Sequence, residues 1–360
     1  MYTAPFHKRA MRQTILSIPV KRIRIGAQLF IACSLIGYFF LFQRSSIGES
    51  IQHLRNFDLR YFALALGLVV LDWVIAGTRI MIFARKVHSS IGFGASWRSC
   101  MVHVFLAGVT PSQTGGAAAQ VYVLYAEGMR VIDSTVVLFV GGFITTVIVL
   151  LSGATMLMLH PQMIAPELRT LSIISFWIYV AILAAIVLTL VRPEDFKRVM
   201  RWILVRIPRV RNTNAVERMS SMVDRYHDLM TGFFLHGKLI FTVGLLLTAL
   251  IYVNKFLIGW VVVRGLGLHA DVGQVLYLQI IPLLVFYFSP TPGSSGLAEV
   301  STMAAMAPVL PKSYQAAYVI VWRFFTLMIN MIIGAGVVMS YLSGKRGRRS
   351  AENMNDASTG

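Results

Sequence analysis

Five charged residues stand inside segments that are otherwise apolar: Asp72, Arg79, Lys255, Glu299 and Arg323. A charge at the centre of a bilayer costs roughly 2.5–3.5 kcal/mol on insertion scales, so such residues face a partner, a cavity or a substrate. Together they carry +1, which suits an anionic head group. Asp72 and Arg79 are seven apart and share one helix face. Two breaks rich in small and hydroxyl residues accompany them, TPSQTGGAAAQV at 110–121 and SPTPGSSGLAEV at 289–300. Laid on each other without gaps, they match at Ser/Thr, at Pro and at Ala-Gln-Val against Ala-Glu-Val, so Gln120 falls opposite Glu299. Pro111 and Pro290 interrupt a helix. Gly115, Gly116, Gly293 and Gly296 permit a turn, and Ser112, Thr114, Ser294 and Ser295 can cap the returning arm. A helix starting at such a break has free N–H groups and roughly half a positive charge, which is an anion site. Glu299 stands three residues after Gly296. It either caps its own helix or uses its charge on Arg323, Lys255, a proton or a substrate, and the sequence leaves both open. The candidate substrate-binding set is Asp72, Arg79, Ser112, Thr114, Gly115, Gly116, Gln120, Lys255, Ser294, Ser295, Gly296, Glu299 and Arg323.

The elements that position this set are membrane helices. The 360 residues are 56% hydrophobic and 13% charged, against about 25% charged in a soluble domain, and the mean hydropathy is +0.69. Apolar runs at about 25–43, 60–83, 132–158, 171–191, 238–263 and 314–342 are long enough to cross a bilayer core of about 30 Å. Two further regions, 97–128 and 273–309, have arms too short to cross and read as re-entrant helix–break–helix hairpins. Irregular backbone at that depth needs protein or a water-filled cavity around it. The expected fold is therefore an all-α integral membrane protein of about six transmembrane helices plus two re-entrant hairpins. With the N-terminus in the cytoplasm, cytoplasmic segments hold 24 Lys and Arg and outer segments six, as positive-inside requires. Three spans separate the hairpins. They therefore enter from opposite faces, as in the inverted repeats of transporters.

The domain reading is a basic cytoplasmic tail at 1–24, a transmembrane domain at 25–342 and a basic, disordered tail at 343–360. The first run ends FFLFQRSS with no small-residue cleavage pattern, so it reads as an uncleaved helix. Within the domain, 192–237 is a basic cytoplasmic amphipathic segment. It serves either as an interfacial helix at 194–207 or as a helix packed on its own protein.

Several functions are excluded. The net charge of +18 lies between apolar runs, where it orients the protein and meets anionic lipid rather than nucleic acid. Cys33 and Cys100 have no metal or redox spacing, and no HExxH occurs. No P-loop is present, so ATP hydrolysis in this chain is not expected, nor is a cofactor. A lipid-modifying enzyme would need a nucleophile or an acid–base pair. Asp72, Glu299 and His103 are the candidates, and none has a partner by spacing.

Pro111–Gly116 (P-x-x-T-G-G) and Pro290–Glu299 (P-T-P-G-x-x-G-x-x-E), with Arg323 in the last span, resemble the lysylphosphatidylglycerol synthase transmembrane, flippase-like family over roughly 20–342. The resemblance implies a polytopic helical bundle with two hairpins and lipid translocation. Ala117 and Gln120 replace the Glu and Arg that many members carry after the first glycine pair, so a head-group contact by such an arginine is not carried over. Ser294 and Ser295 replace the second glycine of the other pair and its neighbour. No soluble acyltransferase domain follows Leu342, so a lysyltransferase activity is not expected. The function expected is a translocase of the inner (cytoplasmic) membrane with both termini cytoplasmic. Its substrate would be an anionic phospholipid, an aminoacyl-phospholipid or a polyprenyl-phosphate-linked lipid. The alternative is a non-transporting partner of a separately encoded lipid- or glycan-modifying transferase.

Overall fold

A computed structural model of the chain describes residues 20–44, 47–88, 90–195, 198, 202, 213–235, 237–286 and 289–341. The described residues form helices and contain no strand. In chain order these are α1 (Val20–Arg44), α2 (Ile47–Arg55), α3 (Leu59–Val87), α4 (Phe93–Val109), α5 (Thr114–Ala126), α6 (Val131–Leu159), α7 (Pro166–Val191), α8 (Thr213–Leu235), α9 (Lys238–Gly265), α10 (Val272–Leu278), α11 (Ile280–Phe286) and α12 (Leu297–Met306). The last is α13 (Lys312–Tyr341), which contains a wider π turn at Phe324–Met328.

Five helices, α3, α6, α7, α9 and α13, are long and apolar enough to cross a membrane. The sequence expects a sixth in α1. That helix has 25 residues, and its described apolar stretch is Gln28–Gly37. Large apolar side chains stay exposed along α1 (Leu35, Ile36, Phe39) and α7 (Ile174, Trp177, Leu188). On a membrane protein that surface faces lipid.

The axis of the bundle is the antiparallel pair α3 and α9. Asp58, which caps α3 by accepting from the Arg60 N–H, donates its own N–H to the Gly265 carbonyl at 2.9 Å. Two to three turns short of the other end of α3, Arg79 reaches Thr248. The first of these contacts marks one end of the bundle. There α2 meets the start of α13 with the His53 and Tyr314 rings stacked at 3.6 Å, and Leu266, Val275, Met306 and Leu310 close a common core. At the opposite end Ile91, Leu124, Met129, Met230 and Phe233 form another core. Arg98, Glu127 and Tyr341 tie α4, α5 and α13 together there.

These two ends hold the feet of the two broken segments. α4 and α5 start and finish at the second end; α10 to α12 start and finish at the first. The arms of the first lie close, because a Cβ at Gly116 would come within 2.9 Å of both the Ala107 Cβ and the His103 carbonyl oxygen. Each arm of seventeen or fewer residues is under about 26 Å long as helix, shorter than a bilayer core.

α8 settles the reading of the described part of 192–237. Val223, Met230 and Phe233 are buried against α6 and α9, and Arg225 pairs with Asp133 at 2.9 Å. This helix packs on its own protein. Most of the expected 194–207 helix, the tail at 343–360 and most of 1–24 lie outside the described residues.

Candidate functional site

The two breaks adopt one local fold. Thr110 and Thr291 are extended, and a proline follows each. The next two residues are left-handed: Ser112 and Gln113 at φ 50° and 56°, Gly293 and Ser294 at φ 58° and 56°. The closing bonds correspond as well. The Gln113 N–H donates to the Thr110 carbonyl at 3.2 Å, and the Ser294 N–H to the Thr291 carbonyl at 3.1 Å. The geometry aligns TPSQTG at 110–115 with TPGSSG at 291–296. This corrects the gap-free alignment by two residues. Pro292, not Pro290, starts the second turn, and Gln120 is not the counterpart of Glu299. The side chain of Gln113 donates to Ser294 Oγ at 3.1 Å, so corresponding residues of the two breaks touch each other.

The second break is closed by a buried lock. Arg323 Nε donates to Glu299 Oε1 at 2.8 Å, with the two side chains 7% and 1% exposed. Arg323 Nη2 donates to the Gly293 carbonyl at 3.1 Å. The other carboxylate oxygen, Oε2, accepts the Gly296 N–H at 2.6 Å. Gly296 stands at φ 87°, a conformation that glycine adopts without strain. Glu299 therefore does both jobs that the sequence leaves open: it caps α12 and neutralises Arg323. Around it, Ser294 Oγ donates to the Phe286 carbonyl at 2.6 Å, Thr291 Oγ1 to the Ser295 carbonyl at 2.8 Å, and Ser34 Oγ of α1 to Ser295 Oγ at 3.0 Å. The expected pair of open helix N-termini is thus corrected, because the start of α12 is filled by its own carboxylate. The start of α5 has no carboxylate. Its Gly115 N–H is held by Thr110 Oγ1 at 2.9 Å, Thr114 Oγ1 donates to the Pro111 carbonyl at 3.1 Å, and Ser112 and Thr114 are exposed.

The other candidate residues form a second polar group, on α3, α9, α4 and α5. Arg79 donates to Thr248 Oγ1 at 3.1 Å and leaves Nε buried without a partner. Asp72 leaves Oδ1 buried without a partner, and Lys255 is half-buried with no hydrogen bond or ion pair to any described group. Cys100 lies within electrostatic reach of Arg79, Asp72 and Lys255, and His103 within reach of Arg79 and Lys255. Gln120 faces Ser99 at 3.4 Å and Cys100 Sγ at 3.9 Å, across the close contact at Gly116.

The structure thus brings together Ser294, Ser295, Gly296, Glu299 and Arg323 at one centre, with Ser112, Thr114 and Gly115 at its edge. It places Asp72, Arg79, Lys255, Gly116 and Gln120 at another. Sequence reasoning missed Gln113 and Ser34. A long amide inside a run of small residues, and a lone serine within α1, were the signals available. Ser99 and Thr248 carried none, because each is unremarkable until its neighbours are in place, and His103 stood out only as an acid–base candidate without a partner by spacing. Among the described residues no group of His, Cys, Asp or Glu could hold a metal ion.

Comparison with known proteins agrees with this architecture. A membrane protein of Archaeoglobus fulgidus, described as a UPF0104 membrane protein, is 24% identical over 272 residues, covering 74% of this chain and 82% of that protein. The profile of the Lysylphosphatidylglycerol synthase TM region matches residues 25–334, which take in both breaks, the lock and the second polar group. The chain is a multi-pass membrane protein and belongs to the Lysylphosphatidylglycerol synthase TM region family.

Proposed function

We propose that this protein is a lipid translocase of the cytoplasmic membrane, with both termini in the cytoplasm. It carries an anionic phospholipid, an aminoacyl-phospholipid or a polyprenyl-phosphate-linked lipid between leaflets, and is not itself a transferase. One observation carries the reading. Two broken helical segments, rooted at opposite ends of one bundle, meet through corresponding residues at Gln113 and Ser294. Contacts between corresponding residues are what a two-fold relation produces, and transporters built from inverted repeats place their sites at such discontinuous helices. The meeting point suits a moving part. It joins the halves through one neutral hydrogen bond, worth about 0.5–1.5 kcal/mol. Three non-glycine residues, Ser112, Gln113 and Ser294, are held left-handed there, and strain of this kind clusters at switch regions. The lock at Glu299 and Arg323 holds the second segment rigid while the contact opens and closes.

The test is reconstitution. Purified protein in vesicles containing fluorescent phosphatidylglycerol, lysylphosphatidylglycerol or a polyprenyl phosphate should let an outer-leaflet quencher reach lipid that protein-free vesicles protect. Absence of exchange for all three classes would overturn the transport reading. It would favour the non-transporting partner of a separate transferase.

A further inference from the structure

The lock and the second polar group differ in one respect that matters for a ligand. At the lock every charge is answered: Glu299 by Arg323 and the Gly296 N–H, Arg323 also by the Gly293 carbonyl. In the second group the charges are not. Asp72 Oδ1 and Arg79 Nε are buried without a partner. Asp72 and Lys255 make no ion pair although α3 and α9 run antiparallel, with Leu68 bonded to Asn254 at 2.9 Å and Arg79 to Thr248, which sets them near the same level. Buried polar groups in native proteins have partners, and those that lack one mark a role or an absent ligand. Unpaired charge within a membrane is costlier still.

We propose that Asp72, Arg79 and Lys255 form a binding site for a phosphodiester monoanion, the head group of the lipid that the translocase reading requires. The sum of Asp72, Arg79 and Lys255 is +1. A phosphodiester carries one negative charge and makes the site neutral. A phosphomonoester carries about −1.5 to −2 at neutral pH and leaves excess negative charge beside Asp72. Arg79 Nε and the Lys255 ammonium supply donors to the phosphate oxygens, as cations do to phosphate elsewhere. Asp72 Oδ1 accepts a donor from the same head group. The site lies beside Gly116 and Gln120, one to two turns along α5 from the first break. Movement of that hairpin would expose or cover it.

Binding to the purified full chain in detergent tests this apart from transport. The probes are dihexanoylphosphatidylglycerol, dihexanoylphosphatidic acid and inorganic phosphate. Tryptophan emission reports binding, since Trp73 adjoins Asp72 and its ring lies 6.4 Å from Trp97. Wild type should bind the phosphodiester most tightly. Arg79→Gln and Lys255→Gln should each weaken it at least tenfold, while Thr155→Ala on the exposed face of α6 leaves it within twofold. Asp72→Asn raises the site's charge and should reverse the order, favouring the monoester. That reversal decides the matter if either glutamine variant fails to fold. Unchanged affinity in Arg79→Gln and Lys255→Gln, preference of the wild type for inorganic phosphate, or loss of binding in Thr155→Ala would each overturn the site. Binding without lipid exchange in vesicles would leave the site standing and remove the transport reading; exchange without binding would do the reverse.

Discussion

At the scale of single residues, Glu299 carries the clearest energetic consequence. An amide at this position keeps one oxygen to accept the Gly296 N–H, so capping alone predicts that Glu299→Gln is tolerated. The structure predicts otherwise, because the same carboxylate answers Arg323, which is 7% exposed. Removing one partner of a buried pair leaves an uncompensated charge and costs about 3–5 kcal/mol. Replacing both by groups of similar volume is often neutral. Glu299→Gln should therefore melt well below wild type in detergent, and Glu299→Gln combined with Arg323→Met should recover most of the loss. Equal melting of the single variant and wild type would show that the pair contributes nothing beyond the cap. Ser112 offers the opposite case. It is exposed and held at φ 50°, a conformation that costs an L-residue about 1–2 kcal/mol relative to glycine. Ser112→Gly should raise the melting temperature, unlike most substitutions at a functional turn.

At the scale of elements, α4 and α5 are held together by the absence of side chains. A Cβ at Gly116 would meet the Ala107 Cβ and the His103 carbonyl oxygen at 2.9 Å, and backbone at that distance cannot step aside. Gly116→Ala should pry the arms apart and lower stability by about 1–3 kcal/mol, as overpacking does. Gly142 in α6 has open space where its Cβ would go, so Gly142→Ala should be neutral or gain up to about 1 kcal/mol from helix propensity. Thermal melts of the two variants compare them directly. The element scale also shows what the sequence could convey. Long apolar runs announced α3, α6, α7, α9 and α13, because twenty apolar residues have few alternatives to a span. Pro and Gly announced both breaks. The register between them was not legible. Matching residue types favoured Ala-Gln-Val against Ala-Glu-Val, whereas the turn depends on which two residues are left-handed, and Ser112, Gln113 and Ser294 give no compositional sign of that. The division of the charged residues into two centres was equally hidden. Asp72 and Arg79 belong with Lys255 only because α3 and α9 run antiparallel, and Arg323 with Glu299 only because α13 passes α12 near its start.

At the scale of the whole molecule, the arrangement of the feet makes a demand that no single helix makes. If each broken segment dips into the membrane and returns, both of its feet must face the same side, and the two segments must face opposite sides. The proposed orientation follows the charge: the end shared by α8 and the feet of α4 and α5 is rich in Lys and Arg, and under the positive-inside rule that end would face the cytoplasm. Four exposed positions report on this directly, Ser90 and Ala126 beside the feet of the first segment, His269 and Ala307 beside those of the second. Each would be changed singly to cysteine after Cys33 and Cys100 are replaced by alanine. In intact cells a membrane-impermeant maleimide should reach His269→Cys and Ala307→Cys, and should reach Ser90→Cys and Ala126→Cys only after the membrane is opened. Reaction of Ser90→Cys and Ala126→Cys from opposite sides would mean that α4 and α5 together cross the bilayer. Reaction of all four from one side would place both segments on one face. Either result would remove the opposed entry on which alternating exposure of a head group depends. The expected pattern would set the Gln113–Ser294 contact between the two faces, the position from which one hydrogen bond can decide which side is open.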